Sequence, residues 1–165
     1  MGDGMDENSV LGPLQNKQQF DIVSNLVNDA RDNGATILCG GDPQGGNNYF
    51  YPVTMVGDAV DGMRLVDEEQ FGTALPIIRY SNLNDAITAA NGLEYGLAAS
   101  VWGQDKDQCM EVAAQLEAGT VLINKHGDIA PHVPFGGIKG SGLGVEFGEE
   151  GLEAYTYIKV INAAA

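Results

Sequence analysis

Between residues 16 and 33 apolar positions recur at steps of three and four, at Phe20, Val23, Leu26, Val27 and Ala30. That spacing gathers them on one face of a helix, and Gly34 just beyond it predicts a C′ stop. Gly12-Pro13 punctuates the approach. Thr36–Cys39 is a short apolar run closed by Gly40-Gly41-Asp42-Pro43, the composition of a buried strand that leaves into a turn. A second run, 49–56, contains Pro52, which has no N–H to give to a ladder. It predicts an edge or irregular strand.

Farther along, 75–80 reads as a strand, 83–91 as a helix with Gly92 behind it, and 97–102 as a strand. Then come a helix over 106–117, with Asp105 as N-cap and Gly119 as C′ stop, and a strand over 120–124. Strands and helices alternating with short connections are the signature of parallel βαβ crossovers, so the expected fold is α/β with a parallel sheet. Residues 125–144 break the pattern with six glycines, Pro131 and Pro134. A loop of that length is usually functional, and this one follows a strand, where ligands gather in open parallel sheets. Residues 146–154 suit a short acidic helix. Residues 155–162 alternate Tyr155 and Tyr157 with Thr156 and Ile158, a terminal strand whose open edge invites pairing with another chain.

Of the 165 residues, 44% are apolar and 7% aromatic, enough to give one compact unit a core. Eight Lys plus Arg against 23 Asp plus Glu leave a net charge of −15, which repels nucleic acid and anionic membrane surfaces. No apolar stretch reaches the ~18 residues of a membrane span, and no basic-then-apolar leader follows Met1. A cytoplasmic location is the expectation. The 23 glycines, roughly twice the ordinary share, imply tight turns and close backbone approaches. Cys39 and Cys109 form no CxxC, and each falls on the apolar side of a predicted element without an adjacent base. They read as buried thiols, not as a disulfide, a zinc site or a nucleophile.

Three clusters offer chemistry. Gly136-Gly137-Ile138-Lys139-Gly140-Ser141-Gly142 lacks the GxxxxGK[ST] spacing of a phosphate loop and reads as a backbone-tight turn. His126 and His132, with Asp128 between them, have no third and fourth ligand at useful spacing, so no metal is expected. Asp67-Glu68-Glu69 has the composition of a solvated face or helix terminus, yet Glu69 is followed by Phe71-Gly72 just before a strand. A carboxylate can accept both hydroxyls of a ribose, and an aromatic two residues on can lie against a flat ring.

From Val10 onward the chain resembles the C-terminal part of the catalytic domain of aldehyde dehydrogenases. The residues that carry the likeness are Gly12-Pro13-Leu14 with Lys17-Gln18, Glu69-Gln70-Phe71-Gly72, Tyr95-Gly96-Leu97-Ala98, and Ala118-Gly119-Thr120-Val121 with Ile123-Asn124. Pro134-Phe135-Gly136-Gly137-Ile138-Lys139 with Ser141-Gly142, and Gly151-Leu152 with Tyr155, continue it. The resemblance implies that Glu69 holds the nicotinamide ribose, that Phe71 contacts the nicotinamide ring, and that Phe135 lies near the aldehyde tunnel, with residues 125–133 shaping substrate choice. The family motif continues Glu-x-Phe-Gly-Pro where this chain has Thr73, and Ser-Gly-x-Gly-Arg-Glu where it has Val145 before Glu146.

The same resemblance implies NAD or NADP as cofactor, not bound tightly by this chain alone, and an aldehyde substrate. It implies also that the dinucleotide-binding domain, the general-base glutamate, the oxyanion asparagine and the nucleophilic cysteine have no counterpart here. The expected organisation is an irregular segment over 1–10, a partial catalytic α/β domain over 11–154, and a terminal strand over 155–165 used in oligomerisation. The isolated chain should then be inactive, a homo-oligomer or a partner of an N-terminal portion supplied in trans. The alternative is a non-catalytic self-associating module.

Overall fold

The computed structural model describes residues 1–43, 45 and 48–164. Its contacts separate into two units, Met1–Ser81 and Asn82–Ala165, where chain length predicts one.

In the first unit, residues 1–10 form turns without helix or strand. The helix α1 (Lys17–Asp32) starts where the Asn16 side chain accepts the Gln19 N–H. It ends in a Schellman arrangement: Gly34, at φ +92°, donates to the Arg31 carbonyl and Ala35 to the Ala30 carbonyl. The predicted stripe is buried at Val23, Leu26, Val27 and Ala30. Leu14, Tyr51, Val56, Leu65 and Ala74 complete the core, with the Phe20 ring edge-on to Tyr51 at 5.8 Å between centroids.

That core rests on a sheet of β1 (Thr36–Cys39), β2 (Thr54–Gly57) and β3 (Ala74–Pro76), in that order. Strands β2 and β3 are parallel, with Thr54 opposite Ala74, and the short α2 (Arg64–Asp67) lies in their connection. Strand β1 is antiparallel to β2, with a register irregularity between Ile37 and Cys39. Both predicted strands here are shorter than expected. The first begins at Thr54, past Pro52, which lacks the donor a ladder needs, and β3 ends at Pro76, with the Ile77 N–H making a last bond to the Val56 carbonyl at 2.8 Å. Cys39 is exposed at the end of an edge strand, contrary to the expectation of a buried thiol, whereas Cys109 is buried as expected.

The second unit contains α3 (Leu83–Asn91), β4 (Tyr95–Gly96), β5 (Ala98–Val101), α4 (Lys106–Ala113), β6 (Thr120–Ile123), β7 (Phe135–Gly136), β8 (Ile138–Lys139), β9 (Val145–Glu146) and α5 (Gly148–Glu153). Strands β5 and β6 are parallel, Ala98 opposite Thr120 and Val101 opposite Ile123, with α4 as the expected crossover. The Asp105 carboxylate caps α4, accepting from the Asp107 and Gln108 N–H groups. The fold class is therefore α/β as expected, with small mixed sheets in which antiparallel pairs accompany the parallel ones.

Helix α4 stops at Ala113, not at 117. Asn91 at the end of α3 donates to the Gln115 carbonyl and accepts the Glu117 N–H, both at 2.8 Å, taking backbone groups that another helical turn would use. Gly119 is consequently no helix stop. A Cβ there would lie 1.8 Å from the Gly136 carbonyl oxygen, so its lack of a side chain lets two backbones touch. Nor is 125–144 a loop throughout. β7 pairs with β9 and β8 with β4, two-residue ladders too short to show a period. Residues 155–162 make no ladder among the described residues and stand exposed, Tyr157 at 100% and Ile158 at 97%. Ala165 of the expected terminal segment lies outside the described residues.

Candidate functional site

The three carboxylates of the 67–69 run have different fates. Arg64 donates from Nε to Glu68 at 2.7 Å and from Nη2 at 3.0 Å, and this fork holds the Glu68 carboxyl below its ordinary value. Asp67 accepts the Gly62 N–H at 3.4 Å. Glu69 is exposed and, among the described residues, has no ion-pair or hydrogen-bond partner. Two of the three serve α2 and its approach, which is the helix-terminus reading. The third carboxylate is uncommitted.

Residues 69–73 form the turn between α2 and β3, and it is fastened from below. Gln19 on α1 donates to the Gln70 carbonyl, and Gln70 Nε2 donates to the Ala74 carbonyl at 2.6 Å. Gly72 sits so close to α1 that a Cβ would be 2.6 Å from Val23 Cγ2 and 3.1 Å from Leu14 Cδ2. The Thr73 hydroxyl donates to the Tyr51 carbonyl at 3.0 Å, with the Pro52 carbonyl at 3.3 Å. Under these restraints Phe71 adopts φ +42°, a left-handed conformation unusual for a bulky residue, and projects its ring 75% exposed. Such a conformation costs roughly 1–3 kcal/mol and persists only where the surroundings over-determine it. A carboxylate with free lone pairs and an exposed ring two residues on can together receive a vicinal diol and a flat heterocycle.

Phe135 belongs to the second unit, half-buried in the β7–β9 ladder. That region is tied down by Lys139, at φ +54°, whose Nζ donates to the Asn91 carbonyl at 2.6 Å and pairs with Glu117 at 2.7 Å. The Ser141 hydroxyl accepts the Gly96 N–H at 3.0 Å. Val145, standing where the family has arginine, lies in β9 opposite Gly136. Residues 125–133 are mostly exposed, and Lys125 pairs with Asp128, holding that carboxyl below its ordinary value. His126 and His132 are both exposed, and among the described residues no group of three or more His, Cys, Asp or Glu is placed to hold a metal.

The structure thus brings Glu69 and Phe71 together on one turn and places Phe135 in the other unit. The fasteners Gln19, Gln70 and Lys139 were not legible as such. Their only sequence signal is membership of the quoted motifs or of a helix face.

A profile of the Aldehyde dehydrogenase family matches residues 1–161. The chain belongs to that family. The match takes in the residues ahead of Val10, where the motif resemblance begins. Human Aldehyde dehydrogenase 1A1 is 37% identical over 162 residues, 98% of this chain and 32% of that protein. An NAD-dependent aldehyde dehydrogenase from Sinorhizobium meliloti superposes with a TM-score of 0.91 at 31% identity, over 96% of this chain and 32% of that one. The NAD+ complex of an aldehyde dehydrogenase from Bacillus cereus does so with a TM-score of 0.88 at 38% identity and the same coverage. The chain spans about a third of the length of each, so its fold is an incomplete version of that domain. Among the described residues no helix is long and apolar enough to cross a membrane.

Proposed function

We propose that the chain corresponds to the C-terminal part of the family's catalytic domain. In this reading it supplies the cofactor-orienting and substrate-lining side of an NAD(P)-dependent oxidation of an aldehyde to a carboxylic acid. Glu69 takes the hydroxyls of the nicotinamide ribose, Phe71 lies against the nicotinamide ring, and Phe135 lines the aldehyde passage. The observation that carries this reading is the 69–73 turn, where scaffold bonds hold Gln70 and Thr73 and Gly72 packs on α1 while Glu69 and Phe71 stand exposed and unengaged. NAD or NADP, when bound, accepts the hydride. The chain's own residues orient and enclose. The thiolate that attacks the aldehyde, the glutamate that activates water, the oxyanion donor and the dinucleotide-binding domain lie outside these residues, so cofactor binding by the chain alone is weak and turnover absent.

The test is NADH and NADPH formation against a panel of aldehydes by the chain, by its Cys39→Ser and Cys109→Ser variants, and by the chain mixed with the N-terminal portion of an aldehyde dehydrogenase. Silence of the chain alone, with activity in the mixture lowered by Glu69→Gln and Phe71→Ala, is expected. Turnover by the chain alone that one cysteine variant abolishes overturns the missing-nucleophile reading. Mixture activity indifferent to both site substitutions overturns the site.

A second reading is favoured by the exposed segment 155–161, where Tyr155, Tyr157, Ile158, Val160 and Ile161 are each at least 83% exposed. There the chain is a self-associating module that uses this segment as a strand to pair with a second copy. Light scattering across a concentration series tests it. A monomer at every concentration counts against it.

A further inference from the structure

We propose that Thr73 is a positioning residue, holding the Glu69–Phe71 turn through its hydroxyl where the family motif has a proline. The proposal rests on reading that turn as nicotinamide-facing. A proline stiffens such a turn through the chain itself, by restricting its own φ and the conformation of the residue before it. Threonine does neither, and the restraint comes from outside.

Thr73 stands where the turn re-enters β3, half-buried, its carbonyl accepting the Thr54 N–H at 2.9 Å. Its Oγ1 shares one proton between the Tyr51 and Pro52 carbonyls, at 3.0 and 3.3 Å. The segment that carries those carbonyls is also bonded to Gly41, away from the turn. The wholly buried Thr54 hydroxyl donates to the Pro52 carbonyl and accepts the Gly41 N–H, both at 2.9 Å. The Tyr51 phenol, itself buried, donates to the Gly41 carbonyl at 3.1 Å. Among the described residues the Tyr51 carbonyl has no donor other than Thr73. Removing the hydroxyl therefore frees one side of the turn and orphans a carbonyl, leaving the Gln70 bonds and the Gly72 contact to hold Phe71 at its positive φ.

Chymotrypsin reads this directly, because cleavage after Phe71 requires the turn to detach and extend, while cleavage after Phe20 in α1 reports general loosening of the same unit. Thr73→Val, which keeps the shape and loses the hydroxyl, is expected to raise the Phe71 rate about five- to tenfold relative to the Phe20 rate, the worth of one such hydrogen bond. Thr73→Ser should restore the parent ratio. Should Thr73→Val not fold, Thr73→Ala carries the same comparison. An unchanged ratio, equal acceleration at both sites, or a serine variant as labile as the valine one overturns the proposal.

A second measurement keeps the two readings apart: NAD added to the full chain mixed with the N-terminal portion of an aldehyde dehydrogenase, with the NMR signals of Glu69 and Phe71 followed. Selective lability of Thr73→Val with no NAD-induced change leaves Thr73 as the turn's positioning residue and overturns the nicotinamide assignment. NAD-induced changes without selective lability do the reverse.

Discussion

Gly72→Ala puts a methyl group into the contact between the candidate turn and α1. The added carbon would lie 2.6 Å from Val23 Cγ2, 3.1 Å from Leu14 Cδ2 and 3.2 Å from Gln70 Oε1. Carbon atoms in ordinary contact stay about 3.5–4.0 Å apart, so roughly an ångström must be found against Val23. Val23 cannot supply it by rotating. It is fully buried in the middle of α1, where a β-branched side chain has one strongly preferred rotamer. The expected cost is that of overpacking a core, about 1–3 kcal/mol.

Val23→Ala by itself loses two buried methyl groups and leaves a cavity, for a cost of about 2 kcal/mol. In the double variant the methyl added at 72 enters the volume those groups vacated, and the clash disappears. The double variant should therefore cost less than the two single changes together, by about 1–3 kcal/mol. Urea unfolding of the four proteins, followed by circular dichroism, closes the cycle. Additivity within about 0.5 kcal/mol would show that the turn does not rest on Val23 and would remove the basis for a rigidly presented Phe71.

Tyr51→Phe deletes the hydrogen bond to the Gly41 carbonyl, which keeps the Arg31 guanidinium at 3.2 Å as a donor. The loss in thermal or urea stability should therefore sit at the low end of about 0.5–1.5 kcal/mol, and a loss several times larger would contradict that geometry. Burial, assisted by Asp42 and opposed by Arg31, pushes the Tyr51 phenol above its usual value of 10.0. The folded state binds that proton more tightly, so this contribution is complete below about pH 10 and fades as pH rises past it. Tyr51→Phe should flatten the alkaline limb of the stability profile, and an unchanged limb would refute the linkage. Leu38, Met55 and Leu75 lie 56%, 37% and 58% exposed on strands β1, β2 and β3. The isolated chain should bind a hydrophobic dye or self-associate, and Leu38→Lys with Leu75→Lys should lower the dye signal; a dye-silent, sharply melting monomer would refute this.

Helix α1 was legible because its information is local: the apolar spacing and a glycine at the C′ position, which takes a positive φ; the Asn16 cap came from the structure. Helix α3 and the Asp105 cap were legible for the same reason, and the β5–α4–β6 crossover followed from element order. Where the expectations fell short, a distant group intervened. Asn91 ended α4 early, and the Gly136 backbone, not a helix terminus, explains Gly119. Glu69, Phe71 and Phe135 were nameable because the motifs that carry them are contiguous in the chain. Which carboxylate of the acidic run stays free was not, since that depends on where the Arg64 side chain points.

The order of the longer elements, the ends of α1 and α3, the Asp105 cap and the family motifs were thus determined by the sequence itself, because each depends on residues within a turn or two of one another, whereas α2, β4 and β7–β9 are too short to leave such a signal. Only the tertiary structure decided that Thr73 meets the Tyr51 carbonyl, that Gly72 rests on Val23 and that Phe71 is held with a positive φ. Those contacts join segments separated along the chain, and their partners become neighbours only after the core of α1 against the sheet has formed.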